Sequence, residues 1–380
     1  MLFDYETLKF IWWALVGVLL IGFVVTDGFD LGVCILLPFI AKTDEERRIA
    51  INTVGPHWEG NQVWFITAGG AIFAAWPAVY AAAFSGFYWA MLLVLFALFF
   101  RPVGFDYRSK IQDPRWRSTW DWGLFIGGFV PALVFGVAFG NLLLGVPFQH
   151  DEFLRPSYQG SFFGLLNPFG LLAGIVSLGM LAMHGAVWLQ LRASDLIESR
   201  AQGWVKFFSL FTLTAFVLAG IWLSVDIDGY TIITQPALDA LPNPLNKSVI
   251  VESGAWMNNY QNYPVTLLAP LLGIVGLVCT FLLSSAQKPG LAFVTSSLSM
   301  AGIILTAGVS MFPFIMPSSL SPNSSLTLWD AASSHLTLNV MTYAALIFVP
   351  IILGYTTWCY RALWGRVTAE YIRLNDHSSY

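Results

Sequence analysis

Charge is what this sequence has least of. Asp, Glu, Lys and Arg make up 11% of its 380 residues, against about 25% in a typical soluble domain. Hydrophobic residues make up 57% and mean hydropathy is +0.68, more apolar surface than a water-soluble fold of this size buries. The solvent of this chain is a bilayer. A net charge of −4 with no basic patch excludes nucleic acid as a partner. Cysteine is also scarce. Cys34, Cys279 and Cys359 are odd in number, far apart and form no CxxC pair, which argues against a disulfide framework or a zinc site. Each reads as a small buried hydrophobe. A secretory signal is missing as well: Asp4 and Glu6 precede the first apolar run, Lys9 is its only base, and no small-residue cleavage site follows. The first hydrophobic segment is expected to be a retained helix.

A spanning helix needs about 20 mostly apolar residues. On that criterion residues 1–380 form a single polytopic domain with helices at about 10–40, 53–75, 78–100, 122–146, 163–190, 205–226, 262–284, 290–314 and 337–360. The expected fold is an all-α integral membrane protein of about nine transmembrane helices, as two four-helix bundles plus one further helix. The second helix is the weakest, because it opens on the polar stretch PHWEGNQ. Charge supports it nonetheless. With nine crossings, 15 of the 18 Lys and Arg residues fall on one side, leaving only Lys9, Arg155 and Lys247 opposite. Cytoplasmic loops are enriched in these residues, so the N-terminus is expected to be periplasmic and the C-terminus cytoplasmic. The Pro-, Asn- and Ser-rich stretches at about 227–261 and 315–336 then face outward as ordered turns and loops.

Polar groups inside apolar runs are costly and tend to mark ion or proton routes. Asp27 and Asp30 lie three residues apart on one face of the first helix, roughly 25–30 Å in from the outer surface at 1.5 Å per residue. His57, Asn61 and Trp64 form one stripe of the second helix, with Glu59 and Gln62 on the neighbouring stripe. Arg101, Asp106 and Arg108 follow at the end of the third. All fall at one depth near the cytoplasmic face, as expected of water-accessible proton uptake. The plainer reading is that these charges only pair across helices; for Arg101 and Asp106, an ordinary loop position is the more favoured one.

Histidine decides whether the chain holds haem. Of His57, His150, His184, His335 and His377, only His57 and His184 fall within membrane segments, and neither has a facing histidine as axial partner. Met180 and Met183 read as packing. The chain is expected to bind no haem or metal of its own. Tryptophans near helix ends form interfacial belts, while Trp58, Trp64 and Trp89 are expected deeper, as packing or subunit contacts. Gly69 and Gly70 are expected to admit a close helix, ahead of a role beside a cofactor or quinone.

Several stretches together resemble subunit II of cytochrome bd oxidases: FIWWALVGVLLIGFVVTDGFDLG (10–32), PHWEGNQVWFITAGGAIFAAWPAVYAAAFSGFY (56–88), FFRPVGFDYRSK (99–110), NPFGLLAG (167–174), ILTAGVSMFPFIMPSS (304–319) and LTLWDAASS (326–334). The resemblance runs over essentially the whole chain. It implies a multi-pass subunit of the bacterial inner membrane, not catalytic alone. Its partner would be a larger homologous subunit I that holds two b-type haems and haem d and oxidises quinol near the outer face. Protons for reducing O2 to water would come from the cytoplasm, generating proton motive force by charge separation without pumping. A small single-helix subunit and a structural quinone on this chain belong to some members. Carried over, the proton pathway falls on Glu59, supported by Asp27, Asp30, His57 and Arg101. Many relatives have Asp where this chain has Glu59, so the reach of that step differs. His184 and His335 stand where an uncharged polar residue is expected and receive no role.

Two other functions are open to a chain of this composition. A secondary transporter predicts acids near the midplane at paired positions of an inverted repeat, whereas the acids here sit at one end. A purely structural assembly subunit shares the fold and predicts that removing Glu59 leaves turnover intact.

Overall fold

A computed structural model describes residues 3–375 and residue 380. Among them, eight helices are long and apolar enough to cross a bilayer, and a bent pair makes a ninth when taken as one crossing. In chain order the helices are α1 (Tyr5–Ile40), α2 (Asp44–Asn52), α3 (Trp58–Ala75), α4 (Pro77–Gly86), α5 (Tyr88–Leu98), α6 (Phe100–Tyr107), α7 (Pro114–Leu144), α8 (Pro168–Arg192), α9 (Asp195–Val225), α10 (Asn258–Asn262), α11 (Leu268–Ser285), α12 (Pro289–Met311), α13 (His335–Ala362) and α14 (Ala369–Leu374).

Their starts follow local chemistry. Asp4, Asp113 and Asn167 each accept a hydrogen bond from a first-turn amide of α1, α7 and α8, and Thr43 with Glu46 makes a capping box on α2. Pro77, Pro114, Pro168 and Pro289 open their helices, where the missing N–H has no partner to lose.

The expected helix at about 78–100 is not one element. The chain bends by 120° between α3 and α4, at Trp76–Pro77, and breaks again at Phe87. The crossing is instead the run from Tyr88 to Lys110, formed by α5, α6 and a short 3-10 turn. α4 lies at the end of the bundle where α1 starts: a Cβ on Gly86 would stand 2.9 Å from the Tyr158 ring, and the Ala75 carbonyl accepts from Ser333 N at 2.7 Å.

One group of crossings comprises α1, α3, α5–α6 and α7; a second comprises α8, α9, α11 and α12. α7 and α1 pack on α8, and α1 also on α12, to join them, and α13 lies outside against α1 and α3. The segments at that same end carry three two-stranded antiparallel sheets beyond the all-helical expectation: β1 (Phe148–His150) with β2 (Pro156–Tyr158), β3 (Asp228–Thr234) with β4 (Ser248–Ser253), and β5 (Phe314–Met316) with β6 (Leu326–Thr327). They are braced together by a Val146–Ser318 bridge and by Lys247, whose ammonium reaches Ser325 O at 2.5 Å and Asp330 at 2.9 Å. Lys9, at the head of α1, is wholly buried and donates to the carbonyls of Leu238, Ala240 and Trp329. The opposite end holds α2, α14 and the basic loops. There Arg108 binds Asp121 at 2.5 Å and Asp44 at 2.9 Å, Arg47 also binds Asp121, and Arg117 binds Asp44.

Candidate functional site: a buried carboxylate cluster

α1 is about 54 Å long at 1.5 Å per residue, and its Asp27 and Asp30 lie deep along it. Both are buried, at 1% and 0% exposure, as is Arg101 at 0%. α6 delivers Arg101 from just past the α5 break. Gly127 on α7 makes room for its stem, since a Cβ there would stand 3.0 Å from Arg101 Cγ. The guanidinium donates to both oxygens of Asp27, Nη1 to Oδ2 at 3.0 Å and Nη2 to Oδ1 at 2.5 Å. Its carbon lies 5.4 Å from the centre of the Trp58 ring, the stacked geometry that suits arginine in an apolar site.

Asp30 takes the other side of the cluster. Asn61 Nδ2 donates to its Oδ2 at 2.7 Å, and Tyr360 of α13 donates to Asn61 Oδ1 at 2.6 Å. The Tyr360 ring stacks on His57, with centroids 4.9 Å apart, and Trp188 meets His57 edge-on. The stripe of His57, Asn61 and Trp64 faces inward; the Trp64 ring lies 2.6 Å from a Cβ built on Gly22 of α1. Three buried polar atoms have no protein partner: Asp30 Oδ1, His57 Nε2 and Arg101 Nε. In a site this polar such atoms are the expected partners of ordered water.

Thus Asp27, Asp30, His57 and Arg101 come together, and Glu59 does not join them. Two residues before Asn61 is about 200° round the helix, so Glu59 is exposed on the outer face of α3. It stands near residue 380 and Asp106: burial, with the Asp106 and Glu59 carboxylates close by, pushes the Tyr380 phenol up. Val63, Ile66 and Phe73 continue that open face at 44%, 66% and 58% exposure. Among the described residues no helix packs on Gly69 and Gly70, as nothing lies within 4 Å of a Cβ at either. Trp89, expected deep, is 66% exposed. Asp106 is exposed too, and Arg108 turns instead to Asp121 and Asp44.

The histidines are spoken for in different ways. His184 is wholly buried with both nitrogens bonded, to Ser296 Oγ and Val25 O. His335 donates to Phe3 O at 3.0 Å. His150 sits in β1 with neither ring nitrogen partnered among the described residues, and His377 lies outside them. The rings of Phe29 and Trp188 stand between His57 and His184, so these two do not form an axial pair for haem. Sequence reasoning missed Tyr360 and Asp121. Asp121 had a signal, an acid in the aromatic run WDWG; Tyr360 had none, because a tyrosine near a helix end reads as an interfacial residue.

The family model described as cytochrome bd terminal oxidase subunit II matches residues 8–363. Cytochrome bd-I ubiquinol oxidase subunit 2 of Escherichia coli (strain K12) is 60% identical over 377 residues, 99% of this chain and 100% of that protein. Cytochrome bd ubiquinol oxidase subunit 2 of Bacillus subtilis (strain 168) is 30% identical over 361 residues, 94% of this chain and 96% of that one. A chain of the bd oxidase from Geobacillus thermodenitrificans shares the fold with a TM-score of 0.70 at 14% identity, covering 94% of this chain and 98% of that chain.

Proposed function

The chain belongs to the cytochrome bd terminal oxidase subunit II family, and from that premise we propose that its buried carboxylate cluster takes up protons from the cytoplasm for the reduction of O2. The protein is a multi-pass subunit of a bacterial inner-membrane quinol oxidase, an oxidoreductase that is not catalytic through this chain alone. Haem enters at the level of the complex. In our reading subunit I holds haem b and haem d, supplies the quinol and O2 sites, and covers the open face of α3. Gly69 and Gly70, bare of any neighbour in this chain, admit a close helix of that partner. The N-terminus is periplasmic in this reading; labelling of a cysteine placed at residue 112 from outside would invert the topology.

The observation that carries the proposal is the set of unpartnered polar atoms beside Asp30, at the end of the molecule where the basic residues gather. Glu59 collects a proton at the start of α3, and water among His57, Asn61 and Asp30 relays it. One guanidinium faces two carboxyls. Asp27 is committed to Arg101, which leaves Asp30 as the group able to exchange a proton. Tyr360 and Asn61 hold its orientation. Charge separation without pumping follows if protons arrive from the cytoplasm while quinol releases its own outside.

Glu59→Gln and Asp30→Asn in the assembled complex test this directly. Oxygen consumption should fall by about tenfold or more for each, the usual scale for a displaced proton-transfer group, with haem content unchanged. Normal oxygen consumption in both variants refutes the assignment.

A further inference from the structure

Behind the carboxylates, α1 is pressed against α8 almost backbone to backbone. A Cβ on Gly28 would stand 2.8 Å from Leu181 Cδ2, one on Gly32 would strike the Leu181 carbonyl oxygen, and one on Gly185 would stand 2.6 Å from Gly32 Cα. Glycine contacts of this kind let helices approach closely. Apart from the Leu181 side chain against Gly28, they are smooth backbone contacts with no directional bond to fix rotation or depth.

His184, one residue before Gly185, supplies the directional link. Its ring is wholly buried. Nε2 lies 3.0 Å from the carbonyl oxygen of Val25 on α1, and Nδ1 lies 2.8 Å from Ser296 Oγ on α12. A carbonyl only accepts, so Nε2 carries the proton and Nδ1 of the neutral ring accepts from the Ser296 hydroxyl. Phe293 stacks on the ring at 4.8 Å and Phe29 lies 5.9 Å away, which fixes its plane. Val25 is two residues before Asp27. The one side chain bonded to both α1 and α12 among these contacts thus grips α1 on the turn that carries the acids.

We propose that His184 is a positioning residue for the carboxylate cluster, setting the rotation and depth of α1 so that Asp27 meets Arg101 and Asp30 meets Asn61. This rests on the cluster's role in proton uptake. A rotation of α1 by about 20° swings a Cβ by roughly 1 Å at helix dimensions, and displacements of that size are enough to slow a reaction by up to about a hundredfold.

His184→Leu and His184→Gln in the assembled oxidase separate positioning from mere packing. Leucine keeps bulk and removes both bonds, while the freed Ser296 hydroxyl can turn to Phe293 O, 2.9 Å away, so the variant should fold and keep its haem. Glutamine restores a donor toward Val25 O and an acceptor for Ser296. The readouts are oxygen consumption across pH and the infrared difference band that Asp30→Asn removes. The expected result is that His184→Leu lowers turnover about tenfold, shifts the pH profile and displaces the Asp30 band, and that His184→Gln restores all three. An unmoved band in His184→Leu overturns the proposal, as does equal loss in the leucine and glutamine variants. If Asp30→Asn removes the band yet leaves turnover normal, proton uptake through the cluster fails as a reading. The band shift in His184→Leu then still decides whether the histidine positions Asp30.

Discussion

The Asp27–Arg101 pair sets up a double-mutant cycle whose outcome follows from burial. Both side chains are sealed from solvent, and Asp27 accepts two charge-assisted bonds from one guanidinium. Asp27→Asn keeps the shape, removes the negative charge and turns an amide donor toward a cation that cannot release its proton. Leaving one charge of a buried pair uncompensated costs about 3–5 kcal/mol. At about 2 °C per kcal/mol, the lower end for large domains, the unfolding midpoint falls by roughly 6–10 °C. Arg101→Gln should cost less, because a stranded carboxylate can neutralise itself with a proton. Combining the two leaves a neutral amide pair, so the double variant should be more stable than Asp27→Asn alone, with a coupling of about 2–3 kcal/mol. The assay is tryptophan fluorescence of the purified complex during heating at one fixed scan rate, with haem absorbance to certify assembly. If the double variant loses as much as the two single variants added together, the pair is not coupled and the electrostatic account of the cluster is wrong.

Tyr360→Phe removes only the hydroxyl that holds Asn61; it should slow oxygen consumption several-fold while assembly and haem content stay normal, and unaltered turnover would exclude Tyr360 from the relay. Gly32→Ala places a methyl group against the Leu181 carbonyl. Overpacking of this sort costs about 1–3 kcal/mol or more, so the yield of haem-loaded complex should drop, whereas Gly70→Ala, in open space within this chain, should be felt only when subunit I is present. In the β1–β2 sheet, burial and the nearby Lys247 ammonium hold the His150 imidazole below its usual 6.5. Above that value the ring is neutral whether the β1–β2 hairpin is closed or open. As pH falls below about 6.5 the open form binds a proton that the closed form resists, so the hairpin loses stability on acidification. Hydrogen exchange over residues 146–158 should accelerate in that window, and His150→Val should flatten the response.

Much of the cluster was legible because helical spacing is faithful inside a membrane. Asp27 and Asp30 share a face of α1, and the stripe of His57, Asn61 and Trp64 does turn toward α1. The same arithmetic put Glu59 on another stripe, but sequence gave no way to see that this stripe faces out of the chain. Residues 63–100 form a nearly unbroken apolar run, so hydropathy alone did not locate the bend; Pro77 after Trp76 was the available cue. Tyr360 reaches Asn61 across 299 positions, and no local pattern encodes such a contact. The strands at 228–234 and 248–253 lie in polar segments where turn residues dominate the reading. The glycines at 69 and 70 promised a close helix, and their bareness here moves that promise to another polypeptide.

The burial of Lys9 has a consequence for how the protein is made. Its ammonium is held by Leu238, Ala240 and Trp329, the last 320 positions away, and the neighbouring Tyr5 hydroxyl finds its acceptor in Ser333, 328 positions away. The Lys9 end of α1 is therefore completed by residues translated 320 and 328 positions later. During synthesis that lysine stays with water or lipid headgroups until its carbonyl partners are made. A product cut short before Trp329 lacks one of the three carbonyls that hold the ammonium and the acceptor of the Tyr5 hydroxyl, so this end of α1 is seated only in part.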